Sequence, residues 1–138
     1  MSSGKKISEI ANKKKELTNN PDSVVYKIPC KGCDSTYIGE TSRGLATRIY
    51  EHRNDVRHHR THNAMVVHIE ETGHLPDWQS AYTIDKGLKK QDRKIIEAAH
   101  ITTNKNINTA TGFFKLGKVT AQMIINERSQ SGNLSAPQ

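Results

Sequence analysis

The sequence has few apolar residues and few aromatic ones. Only 33% of its 138 residues are hydrophobic and 5% are aromatic, so the folded part can bury only a small core. No stretch approaches the roughly 18 consecutive apolar residues of a membrane-spanning helix. The first residues also lack the apolar segment of a secretory signal. We therefore predict no membrane partner and an intracellular, reducing location, not a secreted protein.

Cysteine and acidic residues are also scarce. The chain has two cysteines, which excludes a disulfide-rich scaffold, and in a reducing compartment both should be free thiols or metal ligands. The 14 acidic residues are outnumbered by 21 lysines and arginines, which gives a net charge of +7. This excess favours a polyanionic partner such as DNA, and for a DNA-binding protein we expect the nucleus as the compartment.

The charge and the apolar residues are unevenly distributed, which predicts one domain with loose ends. Residues 1–23 are rich in lysine and poor in core-forming side chains, so we interpret them as a basic flexible leader. We place the folded domain at 24–112. Residues 113–138 are predicted to form a C-terminal extension, disordered from Ser129 because its end has the composition of a linker.

Within the domain, the apolar pattern changes period in a defined order. Two short β-branched and aromatic runs, 24–28 and 36–38, predict a hairpin whose turn holds both cysteines. The later elements are a helix over 45–58, a second helix that Asn63 would cap and Gly73 would end, a strand over 78–84 and a helix over 88–103. The order β-β-α-α-β-α predicts an α+β fold, a small three-stranded antiparallel sheet flanked by helices.

One group of polar residues could carry chemistry. Tyr26 and Tyr37 fall on neighbouring strands of the hairpin, and Arg48 and His52 lie one turn apart on one face of a helix. A structural interpretation is also open, since half-buried tyrosines suit strands and Arg and His suit a solvated helix face.

Glu97 is a second candidate, because apolar residues surround it in the last predicted helix. Its side chain could point inward as a buried acid. It could equally point outward and pair with Arg93, four positions earlier.

The two cysteines form the third group. Cys30-x-x-Cys33 in a tight turn has the spacing of a structural zinc knuckle, which two imidazoles would complete. A redox pair would need a helix directly after the second cysteine, whereas a strand is predicted there. General zinc-finger spacing favours His58 with His62 over His68 with His74 as the remaining ligands.

The order of these residues resembles the GIY-YIG nucleases over residues 24 to about 112. The second signature triplet of that family is intact as Tyr37-Ile38-Gly39, whereas Val24-Val25-Tyr26 keeps the tyrosine of the first triplet and loses its glycine. The family's later residues match Arg48, nine positions after Gly39, His52 one turn on, Glu97 in Arg-Lys-Ile-Ile-Glu-Ala-Ala, and Asn108 in Asn-Ile-Asn.

The segment Tyr-Lys-Ile-Pro-Cys-Lys-Gly-Cys-Asp-Ser-Thr-Tyr-Ile-Gly-Glu-Thr is more narrowly similar to the endonuclease domain of Penelope-like retroelements, a class of retrotransposon. Those domains carry a Cys-Cys-His-His zinc site, and Asn63-Ala-Met-Val-Val-His68-Ile-Glu-Glu-Thr-Gly-His74 is similar to their histidine segment. The resemblance therefore implies Zn²⁺ on Cys30, Cys33, His68 and His74. It also implies a reverse transcriptase as a partner, in cis or in trans.

The resemblance implies a hydrolase, a metal-dependent endonuclease that nicks DNA. Glu97 would hold Mg²⁺ or Mn²⁺, Arg48 would bind the phosphate, and Asn108 would brace the site. Tyr26 would act as the general base with Tyr37 beside it, and whether Tyr26 or His52 finally takes the proton stays open. The change at Val24 puts the level of activity in question. The alternatives are a catalytically inactive zinc module that binds nucleic acid and a protein interaction domain.

Basic residues outside the site are expected to contact DNA phosphates without regard to sequence. The candidates are Lys5, Lys6, Lys13, Lys14, Lys15, Arg53, Arg57, Arg60, Lys89, Lys90 and Lys94.

Overall fold

The computed structural model describes residues 20–108 and 115–130, and in these ranges the chain forms a three-stranded sheet and four α-helices. Most of the leader predicted over 1–23 and most of the tail predicted from Ser129 lie outside the described residues. None of the described helices is long and apolar enough to cross a membrane. The elements are β1 (Val24–Pro29), β2 (Thr36–Thr41), α1 (Leu45–Arg57), α2 (Ala64–Thr72), β3 (Tyr82–Lys86), α3 (Lys90–Thr103) and α4 (Lys118–Gln130).

The sheet has the antiparallel order β2-β1-β3, which confirms the predicted α+β fold. The central strand β1 is rich in β-branched residues because neighbouring strands cover both of its edges and helices cover both of its faces. Its register with β2 places Tyr26 opposite Gly39.

Side chains of β1 alternate between two apolar clusters, as the two-residue period of a strand requires. On one face Val24, Tyr26 and Ile28 pack with Met65 of α2 and with partly buried residues of α1. On the other face Val25 packs with residues of β2 and α3, namely Ile38, Ile96 and Ile101, and with Leu88.

Helix α2 begins and ends where the sequence predicts. The Asn63 side chain accepts a hydrogen bond from the Met65 backbone N–H at 3.0 Å, which satisfies one of the free donors at the helix start. Gly73 ends the helix with a φ of 78°, a left-handed conformation that glycine adopts at little cost.

The third strand is shifted from its predicted position. The sequence pattern predicts a strand over 78–84, but Trp78–Ser80 forms a 3-10 turn and β3 begins at Tyr82. The chain turns here because Asp77 donates its backbone N–H to the Pro29 carbonyl at 2.8 Å, and Ala81 donates to Trp78 at 3.3 Å. The strand propensity of Trp78 is therefore overridden by local hydrogen bonding. The third helix similarly begins at Lys90, two residues after buried Leu88.

Helix α4 was not predicted from the sequence. It packs against α3, and its Ala121 is fully buried. Arg128 donates two hydrogen bonds of 2.8 Å to the buried carboxylate of Asp85 in β3, which attaches α4 to the sheet. Ser129 and Gln130, predicted to begin the disordered tail, are instead the last residues of this helix.

Candidate active site and metal centre

A buried tyrosine and a buried histidine meet between β1 and α1. The Tyr26 hydroxyl oxygen lies 2.8 Å from His52 Nε2, and both side chains are fully buried. Burial, together with the neighbouring Tyr37, raises the pKa of Tyr26 well above its usual value, although Arg48 opposes this shift. Burial and the charge of Arg48 lower the pKa of His52 to about 4. Both groups are therefore neutral near pH 7.

The close approach of the Tyr26 ring explains why the second triplet ends in glycine at position 39. A Cβ atom on Gly39 would lie 2.4 Å from the Tyr26 hydroxyl oxygen and 2.6 Å from the ring carbon that bears it. The Tyr26 ring thus lies across the backbone of β2, a position that any larger residue at 39 would obstruct. The glycine allows a residue of the central strand to place its hydroxyl above the edge strand.

Tyr37 and Arg48 lie beside the Tyr26–His52 pair. The Tyr37 ring lies edge-on to His52 with centroids 4.9 Å apart, and it lies 6.3 Å from the Tyr26 ring. Arg48 interacts with both phenol groups. Glu51 accepts a hydrogen bond from Arg48 Nη1 at 3.0 Å, which holds the guanidinium in place.

Glu97 supplies the acidic group of the site from α3. It is half-buried, and its charge acts on both Tyr26 and Tyr37, so it lies near the phenol groups. Burial and the charge of Glu40 raise the pKa of Glu97 to about 7. Arg93, the alternative partner that the sequence leaves open, instead binds Glu40 and Ser23. A nearby cation would stabilise the ionised form of such a carboxyl, so Glu97 is a suitable ligand for a divalent metal ion.

Asn108 binds the middle residue of the second triplet. Its Oδ1 accepts from the Ile38 N–H at 3.0 Å, and its Nδ2 donates to the Ile38 carbonyl at 2.8 Å. Two backbone hydrogen bonds extend this pairing, because the Thr36 N–H donates to the Lys105 carbonyl and the Ile107 N–H donates to the Thr36 carbonyl. The segment after α3 therefore pairs with the free edge of β2 and fixes the strand that carries Tyr37.

The missing glycine of the first triplet places no bulky group on the surface. Val24 is 3% exposed, and it packs in the apolar cluster of Tyr26, Ile28 and Met65. Its side chain contributes to the core on the face of the sheet that also carries Tyr26.

The hairpin turn and the end of α2 bring four metal-ligand side chains together. Potential ligand atoms of Cys30, Cys33, His68 and His74 all lie within 4.8 Å of one another. His68 Nε2 lies 3.3 Å from the Cys30 sulfur and 3.7 Å from the Cys33 sulfur. A tetrahedral zinc ion would hold a sulfur and a nitrogen ligand about 3.5 Å apart, so the spacing fits.

Two further observations fit a metal ion in this cluster. The Nδ1 atom of His74 is buried without a hydrogen-bond partner among the described residues, and buried polar atoms are rarely left in that state. A Cβ atom on Gly32 would lie 2.4 Å from the His74 ring. Gly32, between the two cysteines, therefore makes room for the imidazole that closes the cluster.

The pair His58 and His62, which general spacing favours, does not belong to this cluster. Both side chains are exposed, and His62 lies 3.7 Å from Asp55. The general spacing rule was wrong here because His58 and His62 precede α2, whereas His68 lies on α2 and His74 directly after it, and only this second pair reaches the hairpin turn.

A comparison with models of known families identifies the family of this chain. The model of the GIY-YIG catalytic domain matches residues 22–107, more than half of the chain. The chain belongs to the GIY-YIG catalytic domain family. No curated protein and no solved structure matches it. Members of the family are metal-dependent endonucleases, so the GIY-YIG domain supports a nuclease-type function with DNA as the implied substrate.

Several basic residues of this GIY-YIG domain already interact with other side chains of the domain. Lys94 binds Glu40 at 2.9 Å and Arg60 binds Asp55 at 3.1 Å, so these two are weaker candidates for phosphate contacts. Arg53 lies over the Trp78 ring, 5.9 Å from its centroid, and Arg57 binds Asn54 beside it. The leader lysines lie outside the described residues.

Sequence reasoning missed two residues of the site. Asn63 Nδ2 lies 2.7 Å from His52 Nδ1 and donates to Asp55 at 2.9 Å. Asn63 was predicted only as a helix cap, and Asp55 was not singled out. A hydrogen bond between residues on different helices leaves no periodic signal in the sequence, although an acid on the inner face of α1 three positions after His52 is a usable hint.

Proposed function

We propose that this domain is a metal-dependent endonuclease that nicks DNA by hydrolysing a phosphodiester bond. The observation that carries the proposal is the buried Tyr26–His52 pair, which lies beside Arg48 and faces a carboxylate whose pKa is raised to about 7. A cation, two phenols and an acid lie near one another within the range that the GIY-YIG family model matches. An acid whose pKa is raised by burial and a neighbouring like charge, close to a cation and two phenols, is typical of functional sites.

Glu97 would hold the catalytic metal, either Mg²⁺ or Mn²⁺. A single carboxylate suits Mg²⁺, which retains several waters and takes further oxygens from a substrate phosphate. When bound, the ion would supply charge stabilisation at the phosphate and at the departing 3′ oxygen. Arg93 and Lys94 each form an ion pair with Glu40, and the negative charge of Glu40 acts on Glu97 and would favour a cation beside it.

Arg48 and the tyrosines would act on the phosphate and the attacking water. The guanidinium of Arg48 can donate two hydrogen bonds to phosphate oxygens, where negative charge builds up during hydrolysis. Tyr26 would orient the water and act as its base, and Tyr37 would position water or phosphate beside it. Asn108 would act through β2, since its side chain forms hydrogen bonds with the backbone of Ile38 in that strand.

The Cys-Cys-His-His cluster would hold Zn²⁺ in a structural role. Four protein ligands fill a tetrahedral zinc site and leave no position for water or phosphate. The cluster ties the tip of the β1–β2 hairpin to the end of α2, so it would fix the two strands that carry the tyrosines.

The hairpin segment and the histidine segment support an origin in a Penelope-like retroelement, because that class combines these triplets with a zinc site. On this proposal a reverse transcriptase acts with the domain, in cis or in trans. The site of action would be the nucleus, where the DNA lies.

A plasmid-nicking assay tests the function. Purified protein should convert supercoiled DNA to the nicked form with Mg²⁺ or Mn²⁺. Glu97→Ala should abolish nicking and retain DNA binding, because it removes the metal anchor and leaves the basic surface intact. Glu127→Ala removes an exposed carboxylate of α4 and serves as the matched control.

Two results would count against the proposal. Wild-type rates in Glu97→Ala would show that Glu97 is not the metal anchor. Binding of DNA without nicking in either metal would favour the alternative, an inactive zinc-stabilised nucleic-acid-binding module.

A further inference from the structure

Four buried side chains form a continuous hydrogen-bonded chain behind the candidate active site. It runs from Tyr26 to His52 (2.8 Å), from His52 to Asn63 (2.7 Å) and from Asn63 to Asp55 (2.9 Å). Tyr26 and His52 are 0% exposed, Asn63 is 5% and Asp55 is 8%. The direction in which each hydrogen points can be worked out from the far end.

Asn63 has one possible orientation of its side-chain amide. Its Oδ1 accepts a hydrogen bond from the backbone N–H of Met65 at the start of α2, which only an oxygen can do. Its Nδ2 faces a carboxylate oxygen of Asp55, which requires a donor. Burial opposes ionisation of Asp55, but hydrogen bonds from Asn63 and Arg60 hold its pKa below the usual value, so it accepts only.

The orientation of Asn63 fixes the tautomer of His52. The second hydrogen of Asn63 Nδ2 points at His52 Nδ1, so Nδ1 must be the nitrogen with a free lone pair. A neutral imidazole carries its single hydrogen on the other nitrogen. His52 Nε2 is therefore the N–H donor, and the Tyr26 oxygen accepts its hydrogen bond.

We propose that Asn63, held by Asp55, is a positioning residue that makes His52 a hydrogen-bond donor to Tyr26 and prevents His52 from taking the Tyr26 proton. This inference rests on the proposed nuclease function, in which Tyr26 is the base. A donated hydrogen bond favours the charged form of the oxygen that accepts it. His52 thus favours the phenolate form of Tyr26, the form able to act as a base, and because Nε2 already carries a hydrogen, His52 cannot accept the Tyr26 proton there.

An exchange of the two partners tests the direction of the chain. Asn63→Asp combined with Asp55→Asn keeps the net charge, the side-chain sizes and an oxygen to cap α2. The carboxylate then faces His52 Nδ1, which must carry the hydrogen, and Nε2 becomes an acceptor. The single change Asn126→Asp, on the exposed face of α4, controls for an Asn-to-Asp change by itself.

Nitrogen-15 NMR of labelled histidine reports the tautomer, with the His52 signals assigned by comparison with His52→Gln. The wild type should show hydrogen on Nε2 at pH 7.5, and the exchanged double variant should show it on Nδ1. With saturating plasmid the double variant should nick at least about 10-fold more slowly, with unchanged DNA affinity and zinc content.

Each outcome decides a separate claim. Hydrogen on Nδ1 in the wild type, or wild-type nicking by a double variant with a switched tautomer, would overturn the positioning role. If the double variant does not fold, Asn63→Ser, which retains a cap and cannot reach His52, should still weaken the preference for hydrogen on Nε2, and an unchanged preference would overturn the proposal. Hydrogen on Nε2 in a wild type that does not nick would overturn the proposed function, yet support the fixing of His52 by Asn63.

Discussion

At the tip of the β1–β2 hairpin four ligand atoms converge within 4.8 Å of one another, whereas in its middle two tyrosines lie near the Glu97 carboxyl of α3. The tip cluster supplies four ligand side chains, enough to fill a tetrahedral metal site with protein atoms alone. The middle site is incomplete, and its acid has a pKa raised to about 7 because burial and Glu40 oppose its charge. One hairpin therefore carries a centre suited to stability and a centre suited to chemistry, and separate changes should affect each one.

The largest expected effect is on the tip cluster. Cys33→Ser should release the metal and unfold most of the protein, because structural zinc binding contributes about 10–16 kcal/mol in small zinc domains, comparable to the whole stability of a domain. Elemental analysis should find one zinc per wild-type chain and none in the variant, and thermal melting by circular dichroism should show the loss of fold. A variant that keeps zinc and its melting temperature would contradict the structural role.

The next largest effect is on the rate of the middle site. Arg48→Ala should lower turnover by roughly 100-fold, equivalent to about 2.7 kcal/mol, because it removes a preorganised donor to the transition state. Tyr26→Phe, which removes only a hydroxyl, should behave similarly. DNA affinity and zinc content should stay near the wild-type values in both.

Arg57→Ala provides the contrast for Arg48→Ala on the same helix, since Arg57 is exposed at the end of α1. It should weaken DNA binding at low salt and leave turnover at saturating DNA unchanged. If all three variants nick at the wild-type rate, the activity comes from a contaminating nuclease.

A smaller effect is expected on the pH dependence of folding stability, through the Glu97 carboxyl. The folded protein binds a proton at Glu97 up to about pH 7, whereas an unfolded carboxyl loses it near 4.5. Protonation of Glu97 therefore stabilises the folded protein at low pH, and this contribution is lost as the pH rises from about 4.5 to about 7. Because Glu97 is only half-buried, solvent screening reduces the effect of the full shift, so Glu97→Gln should stabilise the protein at pH 8 by about 2 kcal/mol and have little effect at pH 4.5.

Denaturant melts without added Mg²⁺ or Mn²⁺, and without a chelator that would strip zinc, measure this difference. Added Mg²⁺ should stabilise the wild type and not Glu97→Gln, because only the carboxylate binds it. Equal stability of the two proteins at every pH would mean that the Glu97 carboxyl is not perturbed.

The smallest effect should come from histidines outside both sites. Replacement of His58 and His62 together by alanine should leave one zinc per chain and change stability by less than about 0.5 kcal/mol, because both side chains are exposed. His74→Ala is the matched change inside the cluster and should lower zinc retention. Zinc loss in the double variant alone would restore the general spacing rule.

The success of prediction from sequence depended on how local each signal is. The hairpin, the Asn63 cap and the Gly73 stop depend on neighbouring residues, and all three were predicted. Family resemblance, not spacing, selected His68 and His74, since the distance between the hairpin turn and α2 is a tertiary property. Helix α4 was missed because its anchor is the Arg128–Asp85 pair, whose partners are 43 positions apart. The same reason hid the link from His52 to Asp55 through Asn63.

The side chain of Asn108 has a consequence for how molecules of this protein meet. An edge strand with free N–H and C=O groups is a template on which another chain can add a strand. Here the Asn108 amide imitates a peptide group and occupies both polar atoms of Ile38, while Thr36 is paired with the backbone of residues 105 and 107. Asn108, for which we propose a bracing role in the active site, thus also covers this part of the sheet edge, so its loss should favour aggregation as well as lower activity.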